Sequence, residues 1–236
     1  MGLIRNGPPE DLIVKIIGEM RVLSFIETGT SHGDTAYWAS NHFDHVYTIE
    51  YSKELYELAK AKYGGARNIE FAFGDSRTIL PEILNIAPSP AILWLDAHWS
   101  GSNSYGEGDE CPLMGELAAV ECAEKEMIVL IDDARCFLSP PPSPHQIDLW
   151  PDISQILLGL KRVPLVDYVA VFDDVIIGVP EVLKRTVQEH CQDRATQIWR
   201  ERKKELASSR EREKESVSYY MGMAVKQMLK KLGGKG

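Results

Sequence analysis

The stretch FIETGTSHGDT (25–35) sets an acid, Glu27, and two glycines, Gly29 and Gly33, directly after an apolar run. Glycine lets backbone come close to a ligand where a Cβ would clash. Amides at the start of a helix after such a turn offer donors to an anion. Glu27 can accept from a ligand ammonium or hydroxyl. Glu50 closes the next apolar run, where an acid can grip both hydroxyls of a ribose. A third run closes in Gly74-Asp75-Ser76, polar groups placed for the amino group of an adenine. One acid-and-glycine turn is a weak sign, because a purely structural turn has the same composition. Three polar strand ends in succession make a nucleoside site the expectation. The spacing is G-x-x-x-G, not the G-x-G-x-x-G of nicotinamide-binding turns.

A second constellation ends two later runs. LWLDAHWSG (93–101) and VLIDDAR (129–135) deliver Asp96, His98, Asp132 and Asp133 to the same edge. Three converging carboxylates repel one another and raise a pKa unless a cation joins them. Hard oxygen ligands suit Mg²⁺, with Ca²⁺ and Mn²⁺ behind it. An Asp at the head of a loop can instead cap backbone amides. The loop SGSNSYGEGDECPLMGEL (100–117) sits where a substrate lid would be. Its Glu107, Asp109 and Glu110 are candidates for substrate hydroxyls or amines, or simply for a solvated loop. Arg135 can clamp an anion or pair with nearby acids, and His145 has no legible partner.

These residues need a scaffold that brings strand ends to one edge. Runs 22–28, 45–51, 68–74, 91–97 and 127–133 are nearly continuous apolar stretches, as in strands buried on both faces. Helical patterns fall at 34–42, 52–63, 76–86 and 112–125, with a further helix near 9–19. Alternation of this kind predicts βαβ units, a parallel sheet and helices on both faces. Runs 167–172 and 174–180 then form a hairpin, placing one antiparallel strand in a seven-stranded sheet. The expected class is α/β, doubly wound and mostly parallel. The expected division is a ligand-binding domain over 1–180 and a charged helical extension over 181–236, made of two helices joined by the charged run 200–216. LSPPPSPH (138–145) reads as loop, because serial prolines exclude helix and sheet.

From Phe25 to Val179 the chain resembles class I S-adenosylmethionine-dependent methyltransferases. ETGTSHGDTA is similar to their first motif, in the variant of catechol O-methyltransferase-like enzymes. VYTIEYSKELYELAKAKY is similar to the second, NIEFAFGDSRTILPEIL to the third, and VAVFDDVIIGVP to the closing hairpin. The resemblance implies a Rossmann-like methyltransferase fold with S-adenosyl-L-methionine as cofactor. It implies that Glu27, Thr28, Gly29, Thr30, Gly33 and Thr35 hold it from the first motif. Glu50 and Tyr51 would do so from the second, Asp75 and Ser76 from the third, and Asp96 after strand four. Metal-dependent members of the catechol and macrolide-sugar types carry an Asp after strand four and Asp-Asp or Asp-Asn after strand five. Asp96, Asp132 and Asp133 fall on those positions, which implies Mg²⁺ or another divalent cation. Such a metal binds two substrate oxygens and lowers the pKa of one. Catechol enzymes place a Lys shortly after the strand-four Asp, whereas this chain has Ala97-His98-Trp99-Ser100. His98 is then the expected base, with Asp96 beside it, since an imidazole of pKa ~6.5 suits proton abstraction at neutral pH. Holding the loop or stacking on adenine is the alternative role for His98. The expected reaction is methyl transfer to a hydroxyl of a small molecule, a sugar or a polyketide-like product.

Composition narrows the partners. The chain of 236 residues has a net charge of −9, unevenly spread. Residues 181–236 hold 14 Lys/Arg against 8 Asp/Glu, leaving 12 against 27 for residues 1–180. An acidic body repels nucleic-acid phosphates, so no nucleic-acid partner is expected. The four cysteines lack C-x-x-C spacing, and no run approaches the ~20 apolar residues that span a bilayer. Reduced thiols and the absence of a signal-like N-terminus lead to a cytoplasmic expectation. Apolar positions at helical spacing in the tail suggest a dimer through the C-terminal helices. Two rival readings are a non-catalytic cofactor-binding module that works through its tail, and another metal-dependent enzyme on the same fold.

Overall fold

The computed structural model describes residues 7–99 and 108–232. The chain runs α1 (Glu10–Glu19), β1 (Ser24–Thr28), α2 (Asp34–Ser40), β2 (His45–Glu50), α3 (Lys53–Tyr63), β3 (Ile69–Phe73), α4 (Ser76–Ile86) and β4 (Ala91–Leu95). It continues through α5 (Leu113–Cys122), β5 (Met127–Ile131), α6 (Arg135–Leu138), α7 (Ile153–Leu160), β6 (Tyr168–Phe172), β7 (Val175–Val179) and α8 (Lys184–Leu232). Two compact units meet in sequence between Val187 and Gln188.

The first unit is built on one seven-stranded sheet in the order β3-β2-β1-β4-β5-β7-β6. Only β7 runs antiparallel, against β5 on one side and β6 on the other. Every residue of β1, β4 and β5 is buried, as their unbroken apolar runs require for central strands covered on both faces. Successive side chains point to opposite faces. Ile26 joins a core with Leu80 and Leu84 of α4, Leu117 of α5 and Ile156 of α7. Phe25, its neighbour, meets Trp38 of α2 edge-on at 6.3 Å and Phe43 at 5.4 Å. The β6–β7 hairpin turns on Asp173 and Asp174, at φ 49° and 70°. Positive φ at both turn residues matches the twist of the strands, and Asp tolerates it.

Strand order reverses between β1 and β4, both parallel to each other, and their carboxyl ends bound a crevice. Gly29 makes that junction possible. Its φ is +85°, and a Cβ there would lie 2.4 Å from the carbonyl oxygen of Asp96. Gly29 is therefore demanded by the approach of the β1–α2 turn to the end of β4. Gly33, at φ +79°, precedes α2, and a Cβ there would meet Ala59 and Tyr63 of α3 at 3.1 Å.

Two short helices, α6 and α7, lie where no helix was anticipated. The start of α7 was nevertheless written in the chain. Asp152 and Gln155 form a capping box, each side chain bonding the other's backbone N–H. The tail departs from the expected pair of helices, for α8 continues unbroken through 200–216. That run contains neither Gly nor Pro and is rich in Arg, Glu and Lys, which cost a helix little. Contacts one turn apart, such as Gln197 with Glu201 at 3.0 Å, add support. No helix among the described residues is long and apolar enough to cross a membrane.

Gly29→Ala should destabilise the first unit by about 2–3 kcal/mol, from strain at positive φ and the clash with Asp96. Gly18→Ala is the control, because a Cβ there meets no atom within 4 Å. Thermal denaturation should show a clear fall in Tm for the first variant and none for the second.

Candidate active site

Two adjoining cavities open at the carboxyl edge of the sheet. The first, of about 240 Å³, is lined by Gly29, Ser31, Glu50, Tyr51, Gly74, Ser76, Asp96 and His98 among others. The second, of about 360 Å³, is lined by Glu27, Thr30, Thr35, Asp96, Asp132, Asp133 and Arg135 among others. Gly29, Ser31 and Asp96 belong to both walls. Most residues singled out in the sequence therefore converge here. Of those expected to hold the cofactor, three line neither cavity. Thr28 sits buried behind them and accepts the Asp96 N–H at its carbonyl oxygen, 3.1 Å away. Gly33 packs against α3. Asp75 caps α4, accepting the Arg77 N–H at 2.9 Å, and its carboxylate also meets the Arg77 guanidinium at 2.6 Å.

Glu50 leaves the end of β2 with both oxygens oriented. The N–H of Ser31 donates to one and that of Ser52 to the other, each at 2.8 Å. Burial still holds its pKa above the ordinary value, against the pull of those amides. Glu27 is more deeply enclosed, at 1% exposure. The register of β1 on β2 sets Glu27 opposite Thr48, whose hydroxyl donates to the carboxylate at 2.7 Å. Thr30 meets the same hydroxyl at 2.6 Å. Burial, reinforced by the charges of Asp96 and Glu50, pushes the Glu27 pKa up to about 8.

The second constellation is assembled as the sequence suggested, and it is already bridged by the chain's own cations. His98 Nε2 lies 2.6 Å from Asp133 Oδ2, and His98 Nδ1 lies 3.5 Å from Asp96 Oδ1. Arg135 reaches Asp133 Oδ1 at 2.5 Å and also contacts Asp174. Burial acts to raise the Asp133 pKa, but His98 and Arg135 outweigh it and hold the group below the usual range. At Asp132 the same His98 and the Asp133 N–H help less than burial and its acidic neighbours oppose. Asp132 is 7% exposed, its Oδ1 has no hydrogen-bond partner, and burial with the charges of Asp96 and Asp133 pushes it up to about 8. Burial likewise lifts Asp96 to about 6.

The donor set and the orphaned Asp132 oxygen fit a hard divalent cation. Among the described residues, however, no group of three His, Cys, Asp or Glu side chains stands in the geometry of a formed metal site. His98 occupies the Asp133 oxygen that a cation would need, so a cation can draw on all three acids only once the imidazole has moved.

Several residues of the site carried no signal that the sequence reading used. Ser31 and Thr48 serve the two glutamates through turn geometry and strand register. Glu116 is 1% exposed on α5, has an unpartnered Oε1, and lines a small cavity with His98 and Asp132. Its carboxyl is pushed up to about 7, by burial above all. An acid inside the apolar helix LMGELAAVEC was the available clue. Glu110, a candidate for a substrate contact or a solvated loop, is instead buried and bonded to His145, Gln146 and Trp150. Glu107 lies outside the described residues.

No protein-family model matches the chain, and no curated protein does. Solved structures do. The SAH-bound methyltransferase PaMTH1 of Podospora anserina aligns with a TM-score of 0.53 and 17% identity, over 75% of this chain and 80% of that one. A protein described as a candidate O-methyltransferase of Klebsiella pneumoniae aligns with a TM-score of 0.51 and 11% identity, over 76% and 84%. At these identities the likeness is one of fold.

Glu27 gives the apo protein a pH signature. Its folded pKa of about 8 lies above the ordinary value of 4.5, so the native state keeps a proton that the unfolded chain releases. Its contribution to stability is complete below about pH 4.5 and is lost as pH rises through 8. Glu27→Gln removes this loss while keeping an acceptor for Thr48. Its stability relative to wild type should climb by on the order of 1–3 kcal/mol between pH 5 and 8.5. Denaturation at a series of pH values, without ligand, checks this; a flat or falling difference contradicts it.

Proposed function

We propose that this chain, which has the Rossmann-like fold of class I S-adenosylmethionine-dependent methyltransferases, transfers the methyl group of S-adenosyl-L-methionine to a hydroxyl of a small molecule. One observation carries the reading. Glu50 is fixed by two amides at the end of β2, in a cavity that runs on to Asp96 and His98 and adjoins a second, acid-lined one. The nucleoside belongs in the first cavity, with the ribose hydroxyls on Glu50 and the adenine beside Gly74 and Ser76. The amino-acid end lies toward Glu27, whose carboxylate accepts from the ammonium. The acceptor enters by the second cavity.

The transfer is an in-line displacement at the sulfonium methyl. The C–S bond breaks, an O–C bond forms, and S-adenosylhomocysteine leaves. Alignment and exclusion of water are what the protein must provide. The hydroxyl proton passes to His98. His98 acts in its neutral form, with Nε2–H donating to Asp133 and Nδ1, which faces Asp96 at 3.5 Å, left to accept. A divalent cation, Mg²⁺ by the hardness of the donors, would be held by Asp96 and Asp132 while His98 stays on Asp133, and would lower the pKa of the acceptor hydroxyl. A sugar or polyketide-like hydroxyl is the acceptor class this reading favours, following the likeness of the acid pattern to macrolide-sugar enzymes. The four free cysteines are consistent with a reducing, cytoplasmic setting. Trp199, Leu206, Tyr219, Tyr220 and Met221, each more than half exposed on α8, support a homodimer through this helix.

Calorimetric titration of S-adenosylhomocysteine into chelator-treated protein should give a micromolar Kd. Glu50→Ala should weaken binding by about 100-fold, the equivalent of ~3 kcal/mol. Mg²⁺ should give a separate heat that Asp132→Asn abolishes. Wild-type protein that takes up no S-adenosylhomocysteine overturns the reading. Nucleoside binding with no heat from Mg²⁺ removes the cation and leaves His98 to act alone.

A further inference from the structure

Glu110 is as buried as any core side chain, yet it lines neither large cavity. Its carboxylate collects donors from a segment far along the chain. Trp150 Nε1–H donates to Oε2 at 2.7 Å, His145 Nδ1 stands 3.1 Å from the same oxygen, and the N–H of Gln146 donates to Oε1 at 3.2 Å. Its backbone oxygen accepts the N–H of Trp99 at 2.7 Å. One residue thus ties the segment after β4 to the segment before α7. The indole it fixes is a core side chain that packs beside His98. The Trp150 ring lies 5.5 Å from the His98 imidazole and 5.6 Å from Phe137, and His145 closes edge-on at 5.1 Å.

A buried indole N–H without an acceptor is costly, so the orientation of Trp150 is dictated by the carboxylate that receives it. The imidazole of His98 is in turn confined by Trp150 on one side and by Asp96 and Asp133 on the other. We propose that Glu110 is a positioning residue of the transfer site, holding Trp150 against His98 and thereby fixing the imidazole between Asp96 and Asp133. This deepens the methyltransferase reading and rests on it only in giving His98 the proton. A carboxylate with three donors serves this role better than an amide, since all its lone pairs accept. In Glu110→Gln one side-chain atom becomes a donor and meets another donor, either the Gln146 N–H or the Trp150 indole, so the cluster must shift.

The test uses full-length protein labelled with ¹³C-histidine. The ring signals of His98 are compared between wild type, Glu110→Gln and Trp150→Phe, with His45 as internal reference. His98 should shift in both variants while His45 stays, because His98 packs against Trp150 and His45 does not. S-adenosylhomocysteine affinity should stay within about twofold in each, since neither Glu110 nor Trp150 lines the cavity that holds Glu50. A His98 signal in Glu110→Gln identical to wild type overturns the proposal. If Glu110→Gln does not fold, Glu110→Asp, which keeps the charge but draws the carboxylate back from the indole, decides, and an unmoved His98 signal there overturns it equally. Absence of nucleoside binding in the wild type would sink the methyltransferase reading, while the His98 signals would still decide the role of Glu110.

Discussion

Too many carboxylates share the carboxyl edge of this sheet for all of them to be charged. Glu27, Glu50, Asp96, Asp132 and Glu116 are buried or nearly so, and burial raises the pKa of each. Burial leaves little water to spread the charge, so the chain must compensate by protons, by its own cations, or by a ligand. It uses the first at Glu27 and Asp132, and the second at Asp133, where His98 and Arg135 converge. The third is what a cofactor bearing an ammonium and a sulfonium would supply. A site that stores this much uncompensated acid is poorly explained as packing alone.

The sheet order is what concentrates the acids. Reversal between β1 and β4 leaves two adjacent strand ends without a helix crossing between them, and Gly29 lets the turn after β1 settle onto Asp96. Register then selects partners. Thr48 meets Glu27 because the two face each other across β1 and β2, and the Asp132 N–H donates to the Leu95 carbonyl across β4 and β5. The antiparallel β7 returns Asp174 to the same neighbourhood, where it takes the Arg135 N–H at 2.8 Å and helps hold that guanidinium over Asp133. A local sequence feature, the Asp-Asp turn of the hairpin, thus reaches the electrostatics of the site.

Much of this was legible in the chain. Unbroken apolar runs with acids at their ends marked the strands, their order and the residues that face the crevice. The hairpin followed from two turn residues. What escaped depended on contacts between distant segments. Nothing local to Glu110 announces that Trp150, forty residues on, will donate to it. Asp75 looked like a ligand contact because a strand end and a helix cap use the same residue type. Gly29 was read for its openness to a ligand, whereas the structure sets the Asp96 backbone against it. The charged run in the tail was taken as a break because it lacks an apolar stripe, although its propensity favours helix throughout.

The central claim is that the buried acids wait for a cationic ligand, and proton release on binding tests it most directly. Calorimetric titration of S-adenosylhomocysteine at pH 7, in two buffers of different ionisation enthalpy, measures protons exchanged per site. Glu27 is largely protonated there in the free protein, with its pKa at about 8, and must ionise to receive the ammonium. The account predicts release approaching one proton per site, lost in Glu27→Gln. Tight binding with the same enthalpy in both buffers would contradict it, because the ligand would then have been bound without calling on the charge that the site holds in reserve.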